Sequence, residues 1–294
     1  MTDFHGIFPY LVSPIDAASG HVRETALRGL VEHVLQCGVH GLSPLGSTGE
    51  FAYLSLEQRA QIVRVVVDAA AAGRVPVVAG VAAFSTAQAL RQAEAYARLG
   101  VDGLILILQQ MFPIPPRGVE SYFRAVAQAF PRLSMTVYTN PGLLGGEIAM
   151  DVLDELSHDP NIEYVKDASS DTGRILTLLN RMGGRIRVFS ASAHVPLLVL
   201  RLGGVGWMAG PACVMPRECV RLYDLARAQR WDEALAEQRR QWAINEVFAK
   251  YALAACVKTA LRLQGFEVGE PLAPQQPLGP KAVEEIRRAL AQLG

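Results

Sequence analysis

The chain has 294 residues, with 28 basic and 28 acidic side chains and hence a formal net charge of zero. That balance excludes a general nucleic-acid or anionic-membrane surface, which needs a basic excess. With 50% hydrophobic and 19% charged residues, the chain has ample material for the core of one large α/β domain or two smaller ones. Cys37, Cys213, Cys219 and Cys256 form neither a CxxC pair nor a Cys/His metal spacing, so buried thiols in a reduced, cytoplasmic setting are the simplest account. The start, MTDFHGIFPYLVSP, carries Asp3 and no basic n-region, which argues against a signal peptide. Asp68 and Lys250 interrupt the longest apolar runs, and neither run can span a bilayer.

Residues 6–12 read as a first strand closed by Ser13-Pro14. Leu27, Leu30, Val31, Val34 and Leu35 give residues 24–36 a helical period, stopped by Cys37-Gly38. A second strand is expected over 39–43, ending in PLGSTGE. Ser55 then caps a helix over 56–72, with Glu57 in its first turn. The same unit recurs. Strand 75–80 precedes helix 87–99, strand 101–108 precedes helix 118–130, and strand 133–138 precedes a helix over 149–156. Strand 162–166, in NIEYVKDASS, precedes helix 172–182; strand 186–190 precedes a helix near 195–202; and strand 205–209 comes last before Pro211. Residues 217–228 and 231–264 read as two helices, the second with Asp232 and Glu233 at its start and Gly265 at its end. A proline-rich PLAPQQPLGP leads to a final helix over 281–293.

Strands rich in Val, Ile and Leu that alternate with amphipathic helices imply parallel strands covered by helices. Eight such units over about 210 residues suit an α/β fold of the (β/α)8 TIM-barrel type with a C-terminal helical extension. The expected division is a barrel over 1–212 and a helical region over 213–294 packed on it. The alternative is a doubly wound open sheet, but no GxGxxG follows the first strand. GSTGE lacks the lysine of a P-loop.

In such a barrel the chemistry sits at the C-terminal ends of the strands. The second unit brings Ser47 and Thr48 there, between Gly46 and Gly49, where hydroxyls and backbone N–H groups can hold a carboxylate. A plain glycine turn is the simpler reading. The fourth brings Gln109, Gln110 and Met111, the fifth Tyr138 and Asn140, the sixth Lys166, the seventh Ser192 and His194, and the eighth Met208. Desolvation at a strand end lowers a lysine's pKa and makes it a better nucleophile. The same lysine could instead reach solvent or pair with Asp167. Tyr138 has an ordinary strand-end reading, and His194 reads first as a helix-start histidine without function. The strand ends gather no His or carboxylate pair of metal-ligand type and no GxSxG elbow. One amine, one phenol and a few hydroxyls suit imine chemistry on a 2-oxo acid, with no metal or cofactor required.

GLSPLGSTGE, VYTNPGLLGG and IEYVKDASSD, in this order and spacing, resemble the dihydrodipicolinate synthase / N-acetylneuraminate lyase family of class I aldolases and dehydratases. The likeness runs over nearly the whole chain. It implies a Schiff base between Lys166 and pyruvate or a related 2-oxo acid, a proton relay at Tyr138, a carboxylate-binding pair Ser47–Thr48, and a homo-oligomer, tetramer or dimer. Departures accompany it. The synthase's second tyrosine, which reaches across the dimer interface, falls at Met111, and a thioether cannot relay a proton. The arginine that grips the aldehyde's carboxylate falls at Leu143, which cannot make a bidentate contact. The lyase's acidic pair after the seventh strand is Ser192, Ala193 and His194 here. Met111, Leu143 and Leu144 thus point to a more apolar acceptor pocket, with Ser192, His194 and Met208 as further pocket candidates. The expected function is a Schiff-base lyase acting on a 2-oxo acid by aldol cleavage, condensation or dehydration. The alternatives are dihydrodipicolinate synthase proper and a non-catalytic 2-oxo-acid-binding protein.

Overall fold

The structure, a computed structural model, describes residues 3–169 and 171–293, so Ser170 of the NIEYVKDASS stretch lies outside the described residues. Seven strands form one parallel sheet: β1 (Gly6–Pro9), β2 (Val78–Ala83), β3 (Gly103–Leu108), β4 (Ser134–Thr139), β5 (Ile162–Asp167), β6 (Arg187–Ser190) and β7 (Gly206–Ala209). Their order is β1-β7-β6-β5-β4-β3-β2, with every neighbour parallel. The first eight helices are α1 (Glu24–Gln36), α2 (Leu56–Gly73), α3 (Thr86–Arg98), α4 (Pro116–Ala129), α5 (Pro141–Leu144), α6 (Met150–Leu156), α7 (Thr172–Met182) and α8 (Pro196–Arg201). Four more follow the sheet: α9 (Pro216–Arg227), α10 (Trp231–Lys250), α11 (Leu253–Leu263) and α12 (Pro280–Ala291). Ser55 caps α2 in a reciprocal capping box with Gln58.

The strand expected over 39–43 is absent as a ladder. In its place an extended segment makes single bridges, Tyr10 to Ser43 on one side and Leu42 to Val77 on the other. Its backbone bonds both free edges of the sheet: Ser43 N–H donates to Pro9 O (3.0 Å), and Val78 N–H donates to Leu42 O (2.9 Å). Pro9, Pro44 and Pro76 lack the N–H groups a continuous ladder would use, which reduces the pairing to isolated bridges.

The second departure lies in residues 231–264. These form two helices, not one, separated by extended backbone at Tyr251 (φ −131°, ψ 175°) and Ala252 (φ −62°, ψ 119°). Neither residue is a helix breaker, so tertiary contacts override local propensity. Residues 254–261 are all buried, and α11 packs on the Ser47–Gly49 turn. A helix continuing straight from α10 would not be redirected onto that turn. α9 packs against β1 and α8, and α10 against α9 and α12.

The strands are buried on both faces, as parallel strands covered by helices must be. Alternation sorts their side chains. Leu104, Leu106, Val137, Val165 and Val188 join the layer shared with the helices. Ile105, Ile107, Tyr138, Tyr164, Phe189 and Met208 fill the interior of the curled sheet with Phe4, Phe8 and Tyr10. Phe4 stacks on Tyr164 (5.3 Å between centroids), and Phe8 meets Phe189 edge-on (5.5 Å). Aromatic rings therefore form the floor of this interior. Lys166, two residues after Tyr164 on the same strand face, rises above that floor.

Candidate active site

Lys166 is 2% exposed, and Tyr138 is its register partner on β4. Its Nζ lies 3.6 Å from the centroid of the Tyr10 ring and 3.7 Å from that of Tyr138. Among the described residues no carboxylate stands within ion-pair distance of it. Asp167 points to the opposite strand face, where its carboxylate receives Arg174 Nε (3.1 Å) and Ser169 N–H (2.8 Å). The pairing of Lys166 with its sequence neighbour, and its escape to solvent, are thereby overturned. Ring faces attract a cation but do not neutralise it. Burial without a counter-charge holds the Lys166 pKa well below that of an ordinary lysine.

The Tyr138 hydroxyl accepts a hydrogen bond from Asn140 Nδ2 (2.9 Å). Burial raises its pKa, and the neighbouring side chains of Asn140 and Ser47 partly offset that rise. Asn140 serves twice, because its Oδ1 also caps α5 through Gly142 N–H (3.0 Å). Ser47 and Thr48 sit in a single 3-10 turn, Ser47–Gly49. The glycine before it is required: a Cβ on Gly46 would stand 2.0 Å from the Tyr10 ring. A Cβ on Gly210 would likewise fall 2.5 Å from Thr48 Oγ1.

Glu50 closes the turn in a left-handed conformation (φ 54°) and is buried. Its carboxylate meets Lys258 Nζ of α11 at 2.5 Å, with both side chains fully buried. Leu272 N–H donates to the same carboxylate (2.7 Å), and Lys258 donates to Glu270 O (3.0 Å). The hydroxyl turn is thus anchored to the C-terminal helices by a buried charge pair.

A cavity of about 380 Å³ opens over Lys166. It is lined by Tyr138, Ser47, Thr48, Ser192, His194 and Met208 together with Lys166, so these sequence candidates come together. Met111 and Leu143 do not line it. Met111 is 73% exposed, and Leu143 packs against the interior aromatic cluster. Residues not anticipated from the sequence line it as well: Tyr10 from the end of the first strand, and Trp242, Asn245, Phe248 and Leu253 from α10 and α11. Tyr10 lies inside the strand expected over 6–12, and the strand-end rule reaches it only because β1 stops at Pro9. The α10 residues offer only a helical spacing that a packing face shows equally well.

A desolvated amine at a strand end of a curled parallel sheet, beside a phenol and a hydroxyl turn, is the arrangement of the lyases of the class I aldolase type, and this protein is an enzyme of that class. The Dihydrodipicolinate synthetase family model matches residues 3–293, and the chain belongs to that family. It is 31% identical over 292 residues to a 4-hydroxy-tetrahydrodipicolinate synthase of Methanospirillum hungatei, covering 98% of this chain and 99% of the relative. A protein of the same name from Phenylobacterium zucineum is 33% identical, covering 99% and 98% of the two chains. Among solved structures, a putative dihydrodipicolinate synthetase from Pseudomonas aeruginosa superposes with a TM-score of 0.95 at 27% identity, over 100% of both chains. A chloride-inhibited dihydrodipicolinate synthase from Acinetobacter baumannii, complexed with pyruvate, gives a TM-score of 0.92 at 26% identity, over 98% of both chains. No described helix is long and apolar enough to cross a membrane.

Proposed function

We propose that the protein is a cytoplasmic Schiff-base lyase acting on pyruvate or another 2-oxo acid, with Lys166 as the nucleophile. The observation that carries this reading is the burial of Lys166 between two rings without a counter-charge. In this reading the neutral amine attacks the ketone carbon, and the carbinolamine loses water to give an imine. Tyr138 carries the protons of these steps, and Ser47 and Thr48 hold the carboxylate. The protonated imine draws electrons from the adjacent carbon, which loses a proton to form an enamine. That enamine adds to an aldehyde, and the reverse sequence cleaves the same bond; loss of a hydroxyl from the following carbon gives dehydration. The pyruvate complex of the Acinetobacter baumannii relative supports pyruvate as the first substrate.

Treatment with pyruvate and sodium borohydride is expected to leave a stable mass on the peptide carrying Lys166. No adduct, or an adduct on another lysine, rejects the mechanism. The names of the relatives favour a second reading, condensation of pyruvate with aspartate semialdehyde. Leu143 opposes it, since an alkyl group stands where the resemblance puts the carboxylate-gripping arginine. Efficient turnover in a coupled assay with aspartate semialdehyde decides for that second reading.

Two organisational features belong to the same proposal. The 39–45 segment acts as the eighth stave of a (β/α)8 barrel, since its backbone bonds both sheet edges. The barrel over 1–212 and the helical region over 213–294 work as one unit through Glu50 and Lys258. A dimer or tetramer is in keeping with the adjacent exposed Met111 and Phe112, which are 73% and 76% exposed.

A further inference from the structure

We propose that Tyr10 is a further catalytic residue: its ring face, with that of Tyr138, stabilises the positive charge of the protonated imine that Lys166 forms. The inference rests on the Schiff-base reading above and adds the group that carries the charge of the intermediate. Lys166 Nζ is the reacting atom, and it stands 3.6 Å from the Tyr10 centroid and 3.7 Å from that of Tyr138, over the face of each ring. A ring's negative face attracts a cation at such distances, most strongly where water is excluded. Tyr10 is 1% exposed and Lys166 2%. The two rings are inclined at 73° with 6.4 Å between their centroids, so they meet the nitrogen from two directions.

The backbone fixes Tyr10 in this place. It follows Pro9, the last residue of β1; its N–H donates to Ala209 O (3.0 Å), and its carbonyl accepts from Cys213 Sγ (3.3 Å). The polar part of the cavity wall offers the charge no counter-ion. Ser47, Thr48, Asn140, Ser192 and His194 present hydroxyl, amide and imidazole groups, and among the described residues no carboxylate lines the cavity. Asp167 is taken up by Arg174 on the other strand face. The 2-oxo acid's own carboxylate goes to the Ser47–Thr48 turn in this reading, which leaves the nitrogen to the rings. An imine nitrogen is a weaker base than the amine it replaces, and burial weakens it further. The ring faces act against that loss in the one state that draws electrons from the adjacent carbon. Burial also lifts the pKa of the Tyr10 phenol, and its hydroxyl has no hydrogen-bond partner among the described residues. Tyr10 therefore brings a neutral ring and not a phenolate, and the proton transfers stay with Tyr138.

The test compares two hydride donors at one pH. Sodium borohydride reduces the imine of pyruvate whether or not it is protonated, and sodium cyanoborohydride reduces only the protonated form. The readout is the initial rate of cyanoborohydride labelling on the peptide carrying Lys166, divided by the total adduct that borohydride traps. In Tyr10→Leu, which keeps the site apolar and removes the ring, this ratio is expected to fall about tenfold. In Tyr10→Phe, which keeps the ring face without the hydroxyl, it is expected to stay within about twofold of the native value. A trifluorinated phenylalanine at position 10 keeps the shape of the ring and empties its face of negative charge, and is expected to lower the ratio as leucine does. That variant decides the matter if Tyr10→Leu does not fold. A looser fold alone would lower the total adduct and leave the ratio in place. An unchanged ratio in Tyr10→Leu or in the fluorinated variant overturns the proposal, and so does a fall in Tyr10→Phe as deep as that in Tyr10→Leu. Failure of the native protein to trap pyruvate with borohydride rejects the Schiff-base reading, whereas trapping with an unmoved ratio rejects only the role of Tyr10.

Discussion

Two lysines lie in the interior, and their surroundings divide them. Lys258 is fully buried with Glu50 at 2.5 Å and the Glu270 carbonyl at 3.0 Å. Lys166 is 2% exposed with two aromatic faces and, among the described residues, no carboxylate within ion-pair distance. Burial lowers the pKa of both, but at Lys258 the charge and hydrogen bond of Glu50 push back. A buried ammonium with a partner is a structural clamp; without one it tends to lose its proton and become a nucleophile. Depth alone therefore does not mark a reactive lysine.

The sharpest break of that contrast is Lys166→Met, which removes the nucleophile and keeps the volume. Pyruvate trapping by borohydride is expected to vanish, while stability in urea rises by roughly 1 kcal/mol, since a desolvated amine is no longer buried. Unchanged trapping would move the chemistry elsewhere. Lys258→Met is expected to do the reverse. It leaves Glu50 charged and unpaired in the interior, at a cost of about 3–5 kcal/mol in urea denaturation. Adding Glu50→Gln to Lys258→Met should recover much of that loss; a double variant as unstable as the single one would deny the pair its anchoring role.

The smallest effect concerns pH. The folded pKa of Lys166 lies below the ordinary 10.5, so between the two values the unfolded chain binds the extra proton. Stability then rises with pH across that window. The deficit of the native protein against Lys166→Met should accordingly shrink as pH approaches 10.5. Parallel stability curves for the two proteins would mean that Lys166 titrates as an exposed lysine does.

Lys166 and Tyr138 are readable in the sequence because each ends a short apolar run whose alternation fixes the inward face. Ser47 and Thr48 are readable because glycines flank them. Tyr10 escapes, since PYLVSP reads as more strand where the chain is already past the last residue of β1. Trp242, Asn245 and Phe248 escape for another reason. Their spacing is that of any packing face, and only the tertiary fold brings α10 to the cavity of a lysine far earlier in the chain. The break at Tyr251–Ala252 carries no glycine or proline, so local chemistry gives no sign of it. Residues 39–43 read as a strand from their apolar content, but pairing there depends on prolines in three different segments, Pro9, Pro44 and Pro76. Met111 and Leu143, placed in the pocket from the resemblance, stand apart from it because one is exposed and the other faces the aromatic interior.

The ring-filled floor beneath Lys166 has a consequence for traffic. Phe4, Phe8, Tyr164 and Phe189 are at most 0% exposed and close the interior from below. The cavity over Lys166 is thus walled by rings below and has the partly exposed Trp242 and Leu253 in its lining. In the proposed chemistry, the water expelled as the imine forms and the aldehyde that then arrives both take the route away from that floor. Trp242 and Leu253, half open to solvent on the α10–α11 wall, stand beside that route and meet both the departing water and the arriving aldehyde.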